Sequence, residues 1–192
     1  MVARAAAAEA TGERIMDAAQ ALFGELLYDQ VSLDWVAERA GVTVRTVVRR
    51  FGSKDRLFAS VADRMSRQVR SEREAVRVGD PVESVRGAVR NYERWGDQVL
   101  HFLAQEWRTA AIAAVVARGR RYHQSWVERT FAPALVRLPG AERRRRLAQL
   151  VVATDVYAWK VLRRDLSLEP GEAETLMSRT VRLVVEAPWP AN

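Results

Sequence analysis

Five basic side chains crowd one short segment of this 192-residue chain and could bind the phosphates and base edges of DNA. Between Gly41 and Arg56 the only acid is Asp55. Arginine can donate two parallel hydrogen bonds to guanine, and arginine and lysine both neutralise phosphate. From Met1 to Ser66, nine basic residues balance nine acids, so the positive charge is concentrated on this segment. The segment has the charge expected of a nucleic-acid interface.

The residues around the basic segment predict a helix, a turn and a second helix. Ser32 is a good N-cap for a helix running to Ala40, and Gly41 can adopt the positive φ that ends it. Thr43 can then cap a short helix from Val44 to Phe51. This order is typical of the helix-turn-helix, in which the second helix lies in the major groove of DNA.

The predicted DNA-contacting residues lie on the basic helix and at helix starts. Arginines on the helix could reach bases or phosphates, and the free N–H groups at a helix start favour phosphate. Two simpler roles stay open, because Ser and Thr could only cap helices and Arg could only be solvated. The full set is Ser32, Thr43, Val44, Arg45, Thr46, Arg49, Arg50 and Lys54.

A set of short motifs lies between Ile15 and Met65: Ala18-Ala19, Leu22-Phe23, Val36-Ala37, Ala40-Gly41-Val42, Thr46-Val47 and Phe51-Gly52-Ser53-Lys54-Asp55. With these motifs the segment resembles the TetR family of bacterial one-component regulators. Two positions depart from the family pattern: Leu27 replaces a glycine before Tyr28, and Val48 replaces a tyrosine of the second helix that usually touches the DNA backbone.

Membership of this family would imply how the remaining chain works. The family's second domain is all-helical, usually binds a small molecule and dimerises through its last two long helices. Here those helices would be Ala141 to Asp165 and Glu172 to Glu186. A homodimer also suits a pseudo-palindromic operator in double-stranded DNA, because two recognition helices then lie one turn of duplex apart.

Helical periodicity dominates the chain and predicts an all-α protein of about nine helices. We expect Trp95-Gly96-Asp97 to interrupt one helix and Asp97 to cap the next. We expect Thr154-Asp155 to lie in the middle of a long helix. The predicted domains are a disordered tail (1–11), a helix-turn-helix domain (12–66) and a ligand-binding and dimerisation domain (67–192).

Aromatic residues in the second predicted domain could line a pocket for an apolar or aromatic effector. Ordinary core packing is the alternative for each of them, and the dimer interface is a further one for Trp159. Asp155 could meet Arg90, Arg94 or a cationic effector, because a buried acid is costly when unpaired, and a partly exposed helix face is the alternative. The candidate ligand-binding residues are Tyr92, Trp95, His101, Phe102, Trp107, Trp126, Asp155 and Trp159.

The composition argues against an enzyme, a metal-binding protein and a membrane-spanning protein. The chain has no cysteine and only two histidines, His101 and His123, which lack the spacing of metal ligands. We find no phosphate-binding glycine loop and no nucleophile–histidine–acid set, so we expect no enzyme, cofactor or metal site. No apolar run reaches membrane-spanning length, and a cytoplasmic location is consistent with these features. A helical small-molecule binder and an architectural DNA binder that reads little sequence remain alternatives.

Overall fold

The computed structural model describes residues 2–74 and 80–186, with side chains from residue 5 onward. Within these ranges the chain is helical and has no β-strand, which confirms the all-α class. It divides into two compact units. The first comprises Met1–Arg67 with Ala104–Val115, and the second comprises Gln68–Leu103 with Val116–Asn192.

Ten α-helices, one 3₁₀ turn and one π-helical segment follow one another along the described residues. In chain order they are α1 (Val2–Glu25), the 3₁₀ turn (Tyr28–Gln30), α2 (Leu33–Ala40), α3 (Val44–Phe51), α4 (Lys54–Glu74), α5 (Pro81–Leu103), α6 (Ala110–Thr130), α7 (Ala132–Leu135), α8 (Gly140–Ala153), α9 (Val156–Lys160), the π segment (Val161–Asp165) and α10 (Pro170–Glu186).

The first unit is built around a small aromatic and aliphatic core. Phe23, Tyr28 and Phe58 pack ring against ring, with centroids 5.0–5.7 Å apart. Val36 and Val47 are fully buried, so α2 and α3 each turn one apolar face inward. α2 contacts both α1 and α3, and this packing fixes the helix-turn-helix.

The first helix begins earlier than the sequence predicts. Residues 1–11 were expected to form a disordered tail, but α1 starts at Val2. Alanine has the highest intrinsic helix propensity, so the alanine-rich start extends the helix. The side chain of Arg50 also donates a hydrogen bond to the Ala8 carbonyl at 2.8 Å, which ties this turn to α3.

In the second unit α5 contacts α9 and α10, and α10 also contacts α8. The predicted interruption of α5 at Trp95-Gly96-Asp97 is wrong, because α5 runs unbroken to Leu103. Trp159 packs on Gly96 so closely that a Cβ there would lie 2.5 Å from its Cζ3 atom. Asp97 caps no helix and instead accepts hydrogen bonds from Arg164 at 2.8 and 2.9 Å.

The predicted single helix from Ala141 to Asp165 is also wrong, because it breaks at Thr154. The Thr154 hydroxyl donates to the Leu150 carbonyl at 2.7 Å, a bond that bends helices. Asp155 is therefore not in mid-helix but is the N-cap of α9, where its carboxylate accepts from the Tyr157 N–H at 2.9 Å. The π segment then follows α9 directly.

Other predicted helix limits are met or lie beyond the described residues. Asp80 caps α5 by accepting from the Glu83 N–H at 3.0 Å, with Pro81 as the first helical residue. The sequence also predicts that the fourth helix ends near residues 77–79 and that Pro188 and Pro190 stop the last helix, and these positions fall outside the described ranges. None of the described helices is long and apolar enough to cross a membrane.

Candidate DNA-binding and effector sites

The turn between α2 and α3 has the geometry predicted from the sequence. Gly41 adopts φ 63° and ends α2, a left-handed conformation that glycine adopts without strain. The Thr43 hydroxyl accepts from the Thr46 N–H at 3.3 Å and lies 3.0 Å from the Thr46 hydroxyl. Val47 is fully buried, so the opposite side of α3 faces outward.

The outer surface of α3 presents two arginines. Arg45 and Arg49 are both exposed, and so is Val48, which stands where the family usually has tyrosine. Val44 and Thr46 are half-buried beside them. With no intramolecular hydrogen bond or ion pair recorded for Arg45 or Arg49 among the described residues, both guanidinium groups are available to a partner.

Arg50 and Lys54, also predicted to touch DNA, are engaged within the protein. Besides its bond to Ala8, Arg50 lies so close to Gly12 that a Cβ there would be 2.2 Å from its Nη2 atom. The Lys54 ammonium donates to the carbonyls of Tyr28 and Val31 at 3.1 and 3.0 Å. Both cations hold the helix-turn-helix together, and a phosphate contact by either stays a prediction.

The 3₁₀ turn is the anchor point of the first unit. The Tyr28 hydroxyl donates to Asp55, and the Lys54 ammonium lies 4.5 Å from the centre of the Tyr28 ring. Burial, with the bond to Asp55, raises the pKa of Tyr28 and keeps its hydroxyl protonated. The backbone N–H of Tyr28 donates to the Gln105 side chain at 2.7 Å. The start of α4 is thus fixed to the end of α1.

Ser32 caps α2 by accepting from the Trp35 N–H at 3.1 Å. Trp35 itself is 48% exposed on α2, and sequence reasoning missed it as a candidate DNA contact. Its position could have signalled this, because it lies off the inward face formed by Val36, Ala37 and Ala40. A large exposed indole beside a predicted recognition helix is a candidate contact with the DNA backbone.

Three of the predicted effector-binding aromatics share the core of the second unit. Tyr92, Trp126 and Trp159 are buried in a single apolar cluster, with the Tyr92 and Trp159 rings 6.0 Å apart. The Tyr92 hydroxyl donates to the Thr154 carbonyl at 2.9 Å, and Trp159 Nε1 donates to Glu93 at 2.7 Å. These side chains could form the apolar wall of a ligand site.

The other predicted aromatics lie apart from that cluster. His101 and Phe102 are neighbours, with ring centroids 6.3 Å apart, and Trp95 is half-buried under the Arg94 guanidinium. Trp107 belongs to the first unit and is 79% exposed, and its role in effector binding stays a prediction. Sequence spacing could not separate it from the others, because it follows α5 by only a few residues.

Asp155 does not pair with Arg90 or Arg94 as the sequence suggested. Arg94 pairs with Glu72 at 3.1 Å, while Asp155 caps α9 and has a carboxylate oxygen 4.0 Å from Nε2 of His123. Burial, and then the charge of Arg73, lower the pKa of His123, so its ring is neutral near pH 7. In the described part of the chain, no group of three His, Cys, Asp or Glu side chains could hold a metal ion.

The geometry of α2 and α3 agrees with a comparison to known families. Residues 15–61 match the family described as "Bacterial regulatory proteins, tetR family". Residues 15–61 therefore form a helix-turn-helix region of the TetR family. The matched range contains α2, α3 and the Tyr28 anchor, so the family signature lies in the first unit.

Solved structures extend the likeness in fold to nearly all of the chain. A transcriptional regulator from Rhodococcus sp. Rha1 has a TM-score of 0.71 at 18% identity, covering 91% of this chain and 95% of that one. A TerR/AcrR-family regulator from Aquifex aeolicus VF5 has a TM-score of 0.64 at 18% identity, with 91% and 99% covered. A TetR-family regulator from Streptomyces coelicolor A3 has a TM-score of 0.55 at 19% identity, with 93% and 96% covered.

A search of the curated proteins finds no match to this chain. The solved structures are distant in sequence and show the fold alone.

Proposed function

We propose that this chain is a transcriptional repressor that binds a pseudo-palindromic operator and is released by a small-molecule effector. The observation that carries the proposal is the exposed pair Arg45 and Arg49 on a capped and packed α3. A helix presented in this way can enter the major groove, where arginine forks onto guanine or pairs with phosphate. Thr46, Val44 and Trp35 would supply the neighbouring contacts.

Exposed apolar side chains on and between the last helices support the homodimer that such an operator needs. A monomer would leave these large side chains in water, at Val152, Tyr157, Val161, Leu166, Leu176 and Leu183. Exposed apolar surface of this kind marks an interaction site where it is contiguous. We assign these side chains to a two-fold four-helix interface between copies of this chain.

The effector site belongs to the second unit in this proposal. The cluster around Tyr92, Trp126 and Trp159 offers apolar surface for an aromatic or aliphatic body. An effector releases DNA only if it binds more tightly to the conformation that cannot bind the operator. Residues 12–66 would read DNA and residues 67–192 would bind effector and dimerise, in the cytoplasm where the chromosome lies.

The test is a mobility-shift titration of the purified full chain on the DNA upstream of its own gene. Arg45→Ala and Arg49→Ala should each weaken binding about ten-fold or more, since a good base contact is worth about 1–3 kcal/mol. Arg137→Ala is the matched control, because it removes an exposed arginine from the other unit. If all three variants bind as the native chain does at fixed salt, the docking of α3 is wrong.

The same titration separates operator reading from general DNA binding. A repressor should prefer the upstream duplex over random duplex of the same length by about 10³-fold or more. Equal affinity for both duplexes would instead identify an architectural DNA binder. No binding to either, with an intact fold by circular dichroism, would leave a helical small-molecule binder.

A further inference from the structure

The second unit buries an arginine whose direct partners are all uncharged. Arg73, in the last turn of α4, is 5% exposed. Its guanidinium lies between two aromatic rings, 5.2 Å from the centre of Tyr92 and 4.6 Å from that of Trp126. Its Nε donates to the Asn91 side-chain oxygen at 3.0 Å, and its Nη1 lies 3.5 Å from Nδ1 of His123.

The histidine beside Arg73 is neutral and therefore is not a counter-ion for it. Nε2 of His123 lies 3.3 Å from the Val151 carbonyl, so that nitrogen carries the proton and Nδ1 offers a lone pair to Arg73. A neutral ring is consistent with the lowered pKa of His123, which burial causes first and the Arg73 charge second.

Two carboxylates lie near Arg73, but a neutral side chain stands between each of them and the guanidinium group. Glu72 accepts from the amide of Asn91, whose oxygen in turn accepts from Arg73. Asp155 lies 4.0 Å from His123, on the ring side away from Arg73. Across residues 2–74 and 80–186, no Arg73 ion pair within 4.0 Å is found. A buried cation without a direct counter-ion is costly, and an anionic ligand at its guanidinium would offset that cost.

A second donor in the same region lacks an acceptor. The Tyr122 hydroxyl is buried without a hydrogen-bond partner among the described residues, and Tyr122 immediately precedes His123 on α6. Burial raises the pKa of Tyr122, while the positive charge of Arg73 lowers it by a smaller effect. The hydroxyl is therefore a neutral donor, and the Arg70 guanidinium lies 5.1 Å from the centre of the Tyr122 ring.

We propose that the effector is an organic carboxylate, whose charged end is the direct counter-ion of Arg73 and whose aromatic or aliphatic body packs in the Tyr92 and Trp126 cluster. The Tyr122 hydroxyl is a second donor to the same carboxylate. Charge-assisted bonds from arginine to carboxylate are roughly twice as strong as neutral ones, so the acid should bind far better than its uncharged analogue. This replaces the cationic effector that Asp155 alone suggested, and it rests on the proposed function.

The first experiment compares acids with amides that have the same body. The full-length protein is titrated with phenylacetate and phenylacetamide, and with hexanoate and hexanamide, at pH 7.5 without DNA. Binding is followed by tryptophan fluorescence and by the midpoint of thermal unfolding. We expect at least one acid to bind ten-fold or more tightly than its amide. If neither acid binds more tightly than its amide, the carboxylate proposal is wrong.

The second experiment removes the charge of Arg73. Arg73→Gln should lose ten-fold or more in affinity for the acid and little for the amide, and Arg73→Lys should lie between. Arg137→Gln, an exposed arginine in the same unit, is the control and should bind like the native chain. Should Arg73→Gln not fold by circular dichroism, Tyr122→Phe removes one oxygen and should weaken the acid several-fold. Native acid affinity in a folded Arg73→Gln, or in Tyr122→Phe when Arg73→Gln fails to fold, would contradict the proposal.

These ligand-binding measurements do not depend on whether the chain binds an operator. If the acid binds through Arg73 but does not release the upstream duplex in a mobility shift, the site is right and its role as the effector site is wrong. If the chain ignores the upstream duplex altogether, the repressor function fails while the acid-against-amide comparison still decides the ligand chemistry.

Discussion

The two units of this chain use arginine in opposite ways. On α3 of the first unit, Arg45 and Arg49 stand exposed on a helix whose inner face is held by Val47. In the second unit, Arg73 and Arg146 are 5% exposed and surrounded by protein. Arg146 donates to the last carbonyls of α10, at Val184 and Val185, and so closes a helix end.

The difference shows that charge alone does not indicate function. An exposed guanidinium on a rigid helix remains fully hydrated until a partner arrives, so its contribution to binding is large and salt-dependent. A buried guanidinium has already lost its water and needs partners inside the protein. Arg146 finds carbonyls and a carboxylate, Glu142, at 3.2 Å, whereas Arg73 finds only neutral groups and aromatic faces.

The largest expected effect is on the free energy of unfolding, and it compares a buried tryptophan of the second unit with an exposed one of the first. Trp159→Ala should lower the free energy of unfolding by about 3–5 kcal/mol, because a fully buried ring against Gly96 leaves a cavity. Trp35→Ala, at an exposed site of the first unit, should change it by no more than about 0.5 kcal/mol. Urea denaturation measures both. Equal losses would mean that Trp35 is also packed in solution.

In the first unit, one basic side chain is bonded to the protein's own backbone and another is free to bind DNA. Lys54→Met should cost about 1.5–3 kcal/mol of unfolding free energy, since its ammonium donates to two carbonyls. Arg49→Met should change stability by no more than about 0.5 kcal/mol while weakening operator binding. Thermal or urea unfolding of both variants checks the contrast. A stable Lys54→Met variant with lost DNA binding would restore Lys54 as a phosphate contact.

A pH effect should arise from the second unit. The pKa of His123 is lowered in the folded chain by burial and then by Arg73, so below about pH 6.5 the unfolded chain binds more protons. Stability should be fully present above that pH and fall as the pH drops toward the folded pKa, by at most about 1.4 kcal/mol per unit. Urea unfolding at pH 7.5, 6.0 and 5.0 measures this. His123→Gln should flatten the dependence, and an unchanged slope in that variant would assign it to other groups.

The smallest expected effect concerns the start of α3. Thr43→Ala removes the acceptor for the Thr46 N–H and should cost about 1 kcal/mol of unfolding free energy. Thr43→Ser keeps a hydroxyl at the same place and should retain most of that stability. Chemical denaturation compares the two. If Ala and Ser prove equal, the hydroxyl does not stabilise the helix, and any loss of operator binding by Thr43→Ala would come from a phosphate contact.

The predictions that succeeded rest on local rules. Ser32, Gly41 and Thr43 lie where capping chemistry places them, and Val47 is buried as the spacing of the basic helix requires. Each depends on residues within one helical turn, which is the range over which caps and amphipathic patterns operate. The family signature occupies the same local stretch.

The predictions that failed depended on partners far away in sequence. Gly96 and Asp97 look like a helix break, but Trp159 needs the space above the glycine and Arg164 binds the acid. Neither contact, more than sixty residues away, could be inferred from spacing. Sequence spacing likewise groups Trp107 with the aromatic residues of α5, although its chain segment belongs to the first unit.

By itself the sequence determined the all-α class, the capped helix-turn-helix and the charge of α3, because propensity, caps and local charge act over a few neighbouring residues. Only the tertiary structure decided which cations are available. It tied Arg50 to α1 and Lys54 to the 3₁₀ turn, left Arg45 and Arg49 in solvent, and enclosed Arg73 among neutral partners. The hydration and the partners of a charged group depend on what the fold packs around it, and those groups come from distant parts of the chain.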